Sequence, residues 1–509
     1  MRDGHRKFAL DGAPPLYKVW LQEDVAWIIT DEERETLKNL KSDEQRDNFM
    51  EAFWQRRDPI PDTEENEYKE EHYQRIAYAN ERFGAGIPGW KSDRGRIWIM
   101  FGEPDEIEND SAGDKLDQPK NATPVTPPPH PLEIWRYHYL EGIGQNVVLE
   151  FVDACDCGDY HLTLEPSEKE ALVLGLNRLR EPLHSMGGPD APAGVAPRPP
   201  SARAVPRFKF PDLAVALQQM HVNPLPFDVL TDYVRVTEAT TLVPSTLQFK
   251  NRELKFGPLT RTDGIDRAAV DILGRVSTLT GRVVETFEDT LHVDVPHELL
   301  ARVAGDSATY SHGSLLPPGR YKLKIAAKDV NGERIGVWAR NLVVPQFGGD
   351  TLAASSLIVG GMRQSHQAER PCITQIGGAH TIPPFPPCVF EIGGTHIIPI
   401  VPPADGKPVM FRRNQQINVW IQVYNLHIDE KKRAPSAAIE YSVVNTASNA
   451  NVSHQTSSTD TMGPLADQLT LQKTISAATL QPGAYALQIK VHDNYSGQTI
   501  SESTAFAVE

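Results

Sequence analysis

The stretch Gly89-Trp90-Lys91-Ser92-Asp93-Arg94-Gly95-Arg96-Ile97-Trp98-Ile99-Met100-Phe101-Gly102-Glu103-Pro104-Asp105-Glu106-Ile107 decides how the first part of this chain is read. Ile97, Ile99 and Phe101 alternate with Arg96, Trp98 and Met100, a period of two that predicts a β-strand. Both faces of that strand are largely apolar, which places it centrally in a sheet. Gly95 and Gly102 admit backbone conformations that a side chain forbids. Asp93 follows a turn and is placed to cap it, with Arg94 or Arg96 as a partner. Trp90 and Trp98 are expected to anchor helices to the sheet.

Upstream, the pattern is helical. Leu21, Val25 and Ile28 fall at helical spacing. Thr30-Asp31-Glu32-Glu33 and Ser42-Asp43-Glu44-Gln45 each place a hydroxyl three residues before a carboxyl or amide, the pattern of a capping box. The second opens a helix with Phe49 and Phe53 on one face, which Asp58-Pro59-Ile60-Pro61 ends. A longer helix is predicted over 64–83, with Tyr68, His72, Ile76, Ala79 and Phe83 as its stripe. His72 reads as a core histidine bonded to a carbonyl or carboxylate.

Downstream, residues 108–131 are polar and Pro-rich and read as a surface loop. Ile134–Tyr139 and Val147–Val152 read as strands, joined by a turn at Gly142–Asn146. His138, between aromatics, reads like His72. A last helix opens at Pro166 and carries Leu172, Leu176 and Leu179. From Met186 to Pro206 the chain is Gly, Pro, Ala and Ser, an extended linker that lets the first module move.

Beyond the linker the composition turns β-branched, with frequent turn signals. An internal repeat sharpens this. Leu316-Pro317-Pro318-Gly319-Arg320-Tyr321-Lys322-Leu323-Lys324-Ile325, then Asp329, matches Leu480-Gln481-Pro482-Gly483-Ala484-Tyr485-Ala486-Leu487-Gln488-Ile489, then Asp493. Each copy is a tight turn entering an alternating strand, followed by a hairpin at Asn331-Gly332 or Ser496-Gly497. A Tyr at such a corner ties the inter-sheet loop back through its hydroxyl. The expected fold is therefore multidomain: an α+β module followed by two all-β, immunoglobulin-like sandwiches. The expected boundaries are a tail at 1–16, the module at 17–185, the linker at 186–211, sandwiches at 212–346 and 410–509, and a connector at 347–409. The connector repeats Ile376-Gly377-Gly378-Ala379-His380-Thr381-Ile382-Pro383 as Ile392-Gly393-Gly394-Thr395-His396-Ile397-Ile398-Pro399. Stacked hairpins or a duplicated flexible segment both fit, and paired His380 and His396 are a minor candidate for a metal.

Composition narrows the function. A chain of 509 residues suggests about three domains. The net charge of −16 repels phosphate backbones, and no basic stripe offsets it, so nucleic acid is not an expected partner. No run of about 18 apolar residues is present, so no helix is expected to span a membrane. No signal peptide is visible at Met1-Arg2-Asp3-Gly4, so the chain is cytoplasmic or begins after a removed leader. Four Cys are too few for a disulfide scaffold. Cys372 and Cys388 flank the repeat and could bridge. Cys155 and Cys157 read as small buried residues, with zinc as the weaker alternative.

The Gly89–Arg96 motif closely resembles that of the bacterial GWxTD-domain proteins. So do Val19-Trp20-Leu21-Gln22-Glu23-Asp24-Val25, Phe53-Trp54-Gln55-Arg56-Arg57-Asp58-Pro59 and Glu71-His72-Tyr73-Gln74-Arg75-Ile76-Ala77-Tyr78-Ala79-Asn80, so that the likeness spans about residues 17–180. Ser92 stands where the family has Thr, and both offer a hydroxyl to a turn. A module followed by β-rich regions is similar to long members from Acidobacteria-like bacteria. That likeness implies a periplasmic, cell-surface or secreted location after removal of a leader. The family brings no catalytic residues to carry over.

Two clusters remain as site candidates. Asp93, Arg94, Glu103 and Asp105 are catalytic candidates if their side chains converge in a cleft; separate capping and ion-pairing is the simpler reading. Asp153, Asp156 and Asp159 are candidate calcium ligands, although the spacing is not that of an EF-hand and a solvated acidic turn explains it. No G-x-S-x-G, P-loop, H-E-x-x-H or dinucleotide fingerprint occurs. The expectation is a non-enzymatic extracytoplasmic structural or interaction protein with a protein partner or self-assembly. The alternative is a hydrolase with its site in the first module and the sandwiches as accessory binding domains. A calcium-stabilised adhesion module is a third.

Overall fold

The computed structural model describes residues 16–59, 66–110, 130–140, 143–163, 208–217, 225–259, 264–364, 391–392, 395–403, 406–429, 431–462 and 465–509. The helix predicted after Pro166, the linker at 186–206, Cys372, Cys388 and His380 lie outside these residues.

The first module begins with α1 (Leu16–Val19), which runs into a π-turn over Trp20–Asp24. Two helices follow, α2 (Asp31–Asn39) and α3 (Asp43–Gln55). Both expected capping boxes are formed, Thr30 with Glu33 and Ser42 with Gln45. Helix α4 (Glu67–Arg82) starts at Asn66, whose side chain accepts from Lys69 N. It buries His72, Tyr73, Ile76 and Ala79.

The segment read as a strand is instead helix α5 (Asp93–Phe101). Ser92 is its N-cap: the hydroxyl accepts from Gly95 N (3.0 Å) and donates to the Gly89 carbonyl (2.8 Å). At Gly95 a Cβ would collide with that same carbonyl, so only glycine lets the two turns close. The alternation misled because Ile97, Trp98 and Ile99 are all buried, and a short, wholly buried apolar run has no period that tells helix from strand. Trp98 stacks on Tyr78 of α4 at 4.2 Å between centroids and meets Trp135 of the sheet edge-on at 5.8 Å. It anchors the helices as expected.

The module's sheet is the antiparallel meander β1 (Glu106–Asp110), β2 (Leu132–Leu140), β3 (Gly144–Val152) and β4 (His161–Thr163). Its inner face contributes Trp135, Tyr137, Leu149 and Phe151 to the core.

The next region holds two antiparallel sheets. One runs β10-β9-β12-β13 and the other β11-β7-β5, from β5 (Asp228–Thr231), β6 (Val234–Arg235), β7 (Thr241–Lys250), β8 (Gly257–Pro258), β9 (Ile265–Thr278), β10 (Val283–Pro296), β11 (Ser307–Leu316), β12 (Gly319–Asp329) and β13 (Arg334–Val344). The side strands β8 and β6 join β9 and β7. Val243, Leu247 and Phe249 face Val270, Ile272, Leu323 and Ile325 across one core. Leu273 and Ala326 point the other way, under helix α6 (Pro211–Ala216), which explains why both faces of β9 and β12 are apolar.

The last region repeats the plan. One sheet runs β14-β19-β15-β17-β16, with β22 on β19, and the other β18-β24-β23-β20-β21. The strands are β14 (Ala353–Ala354), β15 (Ile358–Gln364), β16 (Glu391–Ile392), β17 (Thr395–Pro399), β18 (Val409–Phe411), β19 (Gln416–Tyr424), β20 (Ala437–Asn445), β21 (Asn451–Ser458), β22 (Leu469–Ser476), β23 (Gly483–Asp493) and β24 (Thr499–Val508). Strands β14 to β17 were expected to be connector. They belong to the sheet because β14 and β15 pair with β19, and β17 pairs with both β15 and β16.

The long repeat is a repeated corner. Tyr321 donates its hydroxyl to the Pro317 carbonyl (2.9 Å), and Tyr485 to that of Gln481 (2.6 Å). The recurring Asp does the same work twice. Asp329 accepts from Gly332 N and Lys255 N; Asp493 accepts from Tyr495 N and His427 N. Both Asp are fully buried, and both hold the hairpin turn that follows.

The three parts are clamped together, contrary to the expectation of a mobile first module. Val236, Ala239 and Leu242 complete the core of the first module. Gly86, at φ 70°, donates from its N–H to the Leu465 carbonyl of the last region while the Arg433 carbonyl occupies the space a Cβ would need. Between the β regions, Tyr233 and Ser356 exchange hydrogen bonds, and Arg235 N donates to the Tyr424 hydroxyl.

Candidate functional site

The four catalytic candidates do not converge. Asp93 accepts from Leu162 N (3.0 Å) and pairs with Arg96 (3.4 Å). Arg94 pairs with Glu133 (2.9 Å), donates to the Gly158 carbonyl and lies over the Tyr160 ring at 4.0 Å. Asp105 accepts from His138 N (2.5 Å) and pairs with His138 Nδ1 (3.0 Å), and the N–H it accepts holds its carboxyl below the usual range. Burial raises Glu103. Glu133 and His138 sit five positions apart on β2, about 17 Å by strand rise. Arg94 and Asp105 are therefore held at opposite ends of that strand. His138, read as a core residue, is exposed. His72 is a core residue as expected: its Nε2 meets the Asp24 carbonyl at 2.5 Å, and burial holds the imidazole down at about 4.

The acidic turn after β3 also differs from a calcium loop. Asp153 is buried and accepts from Cys157 N (3.1 Å) and Gly158 N (2.6 Å). Asp159 is buried and pairs with Arg433 (2.7 Å) and His161 (3.3 Å). Asp156 is exposed, at φ 52°. With two carboxylates committed to protein donors, the three do not form one ligand set. Cys155 and Cys157 are not small buried residues: they form a disulfide on this turn, with Cys155 exposed.

A buried polar cluster around Asp24 escaped sequence reasoning because it forms between parts. Asp24, at the end of the π-turn, is fully buried and accepts hydroxyl bonds from Tyr73, Thr237 and Thr240, each at 2.6 Å. The turn between β6 and β7 supplies both Thr side chains. Burial raises the Asp24 carboxyl, and the three hydroxyls oppose the rise. Asn80 splints the same contact: its amide donates to the Val236 carbonyl and accepts from Trp90 N. Alongside lies a cleft of about 80 Å³ lined by Glu23, Trp90, Lys91, Arg235, Glu238 and Asp467. Burial, then the Glu238 carboxylate, pushes Glu23 up to about 7. Glu238 N donates to Glu23 (3.2 Å), and Arg235 reaches Asn425 and Asp467. A raised carboxylate beside a second one is an arrangement used for acid–base catalysis. This cleft has room for only a few waters, so the pair belongs to the joint itself. The Asp24 hydroxyls left one trace in the sequence, the Thr237–Thr241 run, but no local pattern tells which carboxylate it meets.

No helix among the described residues is long and apolar enough to cross a membrane. No curated protein matches the chain. Among solved structures, it is similar to an exo-chitosanase of Amycolatopsis orientalis (12% identity, 51% of this chain and 25% of that chain, TM-score 0.14). It is also similar to β-glucuronidase 3 of Bacteroides uniformis (9%, 56% and 28%, TM-score 0.16) and to a β-glucuronidase of Parabacteroides merdae (11%, 56% and 28%, TM-score 0.18). The chain thus spans about a quarter of the length of each, and at such TM-scores the likenesses carry no argument. The family model that matches is the GWxTD domain, over residues 15–115, where the helices and first strand described above lie; the chain carries a GWxTD domain at its first module.

Proposed function

We propose that this chain is a non-enzymatic, extracytoplasmic structural or interaction protein that assembles with a second copy of itself through a β edge. The observation that carries this reading is β21. It is an edge strand of eight residues, Asn451 to Ser458, with Asn451 through Ser457 exposed. It holds no Lys, Arg, Asp, Glu or Pro, the residues that normally blunt an edge. The long edge strand β10 carries Glu285, Glu288, Asp289 and Asp294. An antiparallel β21–β21 pairing about a twofold axis would close the edge.

Three further features support it. The clamped joint makes the chain one stiff body that can hold such an edge in a fixed direction. The Cys155–Cys157 disulfide suits an oxidising compartment. The paired corners at Tyr321 and Tyr485, with the parallel pairing of β18 on β24, support an immunoglobulin-like reading of both β regions. The separation of Arg94 from Asp105 along β2 favours this reading over the hydrolase alternative.

Light scattering across a concentration series tests the reading. The wild-type chain should form a dimer that the double substitution Ser453→Lys, Gln455→Lys dissolves without lowering the melting temperature. A wild-type chain that stays monomeric at high concentration refutes it.

A further inference from the structure

The Asp153–Asp159 turn carries a feature that neither the joint nor the β edge uses. Cys155 and Cys157 are disulfide-bonded across one intervening residue, so the bond closes a very short loop. Such a loop removes little entropy from the unfolded chain, which makes a stabilising role the weakest account of it. Asp156, between the two, sits at φ 52°, a left-handed conformation that Asp adopts more readily than most L-residues. Exposed disulfides are more readily reduced than buried ones. Cys155 is exposed, while Cys157 is partly covered.

The surroundings are built. The buried Asp153 carboxylate fixes the turn through Cys157 N and Gly158 N, and its Oδ1 lies 3.3 Å from Cys155 Sγ. A cleft of about 390 Å³ opens beside the turn, lined by Arg82, Arg94, Pro131, Asp153, Asp156 and Tyr160. The two guanidinium groups and the two carboxylates of its lining balance in formal charge, so the cleft offers an external thiol room to reach the turn without a net charge against it.

We propose that Cys155 and Cys157 form a redox-active pair that exchanges with low-molecular-weight thiols, glutathione being the probe of that class. The external thiolate attacks Cys155 Sγ, the exposed sulfur. A new S–S bond forms there while the Cys155–Cys157 bond breaks, and Cys157 departs with the electron pair. A second thiolate attacks the external sulfur of the mixed disulfide and releases Cys155. Two external thiols are oxidised to one disulfide, the protein disulfide takes up two electrons, and the two thiol protons end on Cys155 and Cys157. Asp153 Oδ1 is placed to accept the hydrogen bond of the Cys155 thiol. This proposal is independent of dimer formation, since it places no demand on β21.

The test uses the full chain with Cys372→Ser and Cys388→Ser, which leaves only this pair. Incubation with glutathione, acid quenching and mass spectrometry read the exchange. The folded protein should be reduced about tenfold faster than the same chain unfolded in urea. An added Cys157→Ser should trap one glutathione from oxidised glutathione on Cys155. Adding Cys155→Ser instead should lower adduct formation about tenfold, because Cys157 is less accessible. The trapping is read on chains whose melting matches the parent, so misfolding does not mimic either result. A folded chain that reacts no faster than the unfolded one, or two single variants that trap glutathione equally, overturns the proposal.

Discussion

Replacing Asp24 with Ala tests the joint most directly. The carboxylate accepts three hydroxyl bonds of 2.6 Å, from Tyr73, Thr237 and Thr240. Thr240 can still donate to the Tyr73 hydroxyl, 3.2 Å away. The Tyr73 and Thr237 hydroxyls lose their acceptor. Each orphaned buried donor costs roughly 1–3 kcal/mol. Removing a carboxylate whose burial is itself unfavourable offsets part of that. The expected net loss is about 2–4 kcal/mol. Asp24→Asn, which keeps an acceptor oxygen, should lose about 1 kcal/mol. The loss should fall on the first module. Urea titration followed by tryptophan fluorescence resolves this, because Trp20, Trp54, Trp98 and Trp135 all sit in that core. The module's transition should move to lower urea ahead of the β regions. A double-mutant cycle with Thr237→Val should show coupling of about 1 kcal/mol or more across the joint. A shift below about 0.5 kcal/mol, within the scatter of ordinary surface changes, would refute the claim that this network holds the parts together.

Glu23 has a folded pKa of about 7 against an ordinary 4.5, so its contribution is fully present below 4.5 and is lost as pH rises through 7. Glu23→Gln should therefore be more stable than wild type at pH 8 by up to about 3 kcal/mol, with the gap closing near pH 4; equal gaps at both pH values in thermal melts would contradict this. His72 runs the other way: its pKa of about 4 lies below 6.5, so stability is lost as pH falls from 6.5 towards 4, and His72→Gln should flatten the acid limb of the melting profile. Ser92→Ala should cost about 1–2 kcal/mol through the lost N-cap, whereas Ser92→Thr should stay close to wild type, as circular dichroism melts can show. Among the described residues, Arg433→Ala leaves the buried Asp159 paired with His161 alone; because Arg433 is itself half-exposed, a loss of about 1–2 kcal/mol is expected in the same urea assay.

What the sequence disclosed was local, and what it concealed was either fully buried or shared between parts. Both capping boxes and the two tyrosine corners were legible because each bond spans four residues or fewer. The hairpins were legible from their turns. The helix at Asp93–Phe101 was not, since burial on nearly every side erased its period; the Ser92 hydroxyl three residues before Gly95 was the signal that marked its start. The sheet role of residues 353–364 stayed hidden because β14 and β15 find their partner some sixty to seventy positions later, in β19. Asp24 was passed over for the same reason: its acceptor role appears only when Thr237 and Thr240 arrive from the neighbouring region. The acidic residues flagged as catalytic or calcium-binding are prominent in sequence because they are charged, and the fold spends most of them on backbone N–H groups and arginines.

Val236, Ala239 and Leu242 finish the interior of the first module from outside it, which bears on how such a chain can evolve. A domain that closes its own core travels freely between genes. This one would carry an open hydrophobic wound in its core wherever it went without Val236, Ala239 and Leu242. Recombination must therefore move the module and its β neighbour as a single cassette, or supply a replacement turn of the same shape. Substitutions at Asp24 and at Thr237 or Thr240 should be inherited in step across the lineages that keep this arrangement.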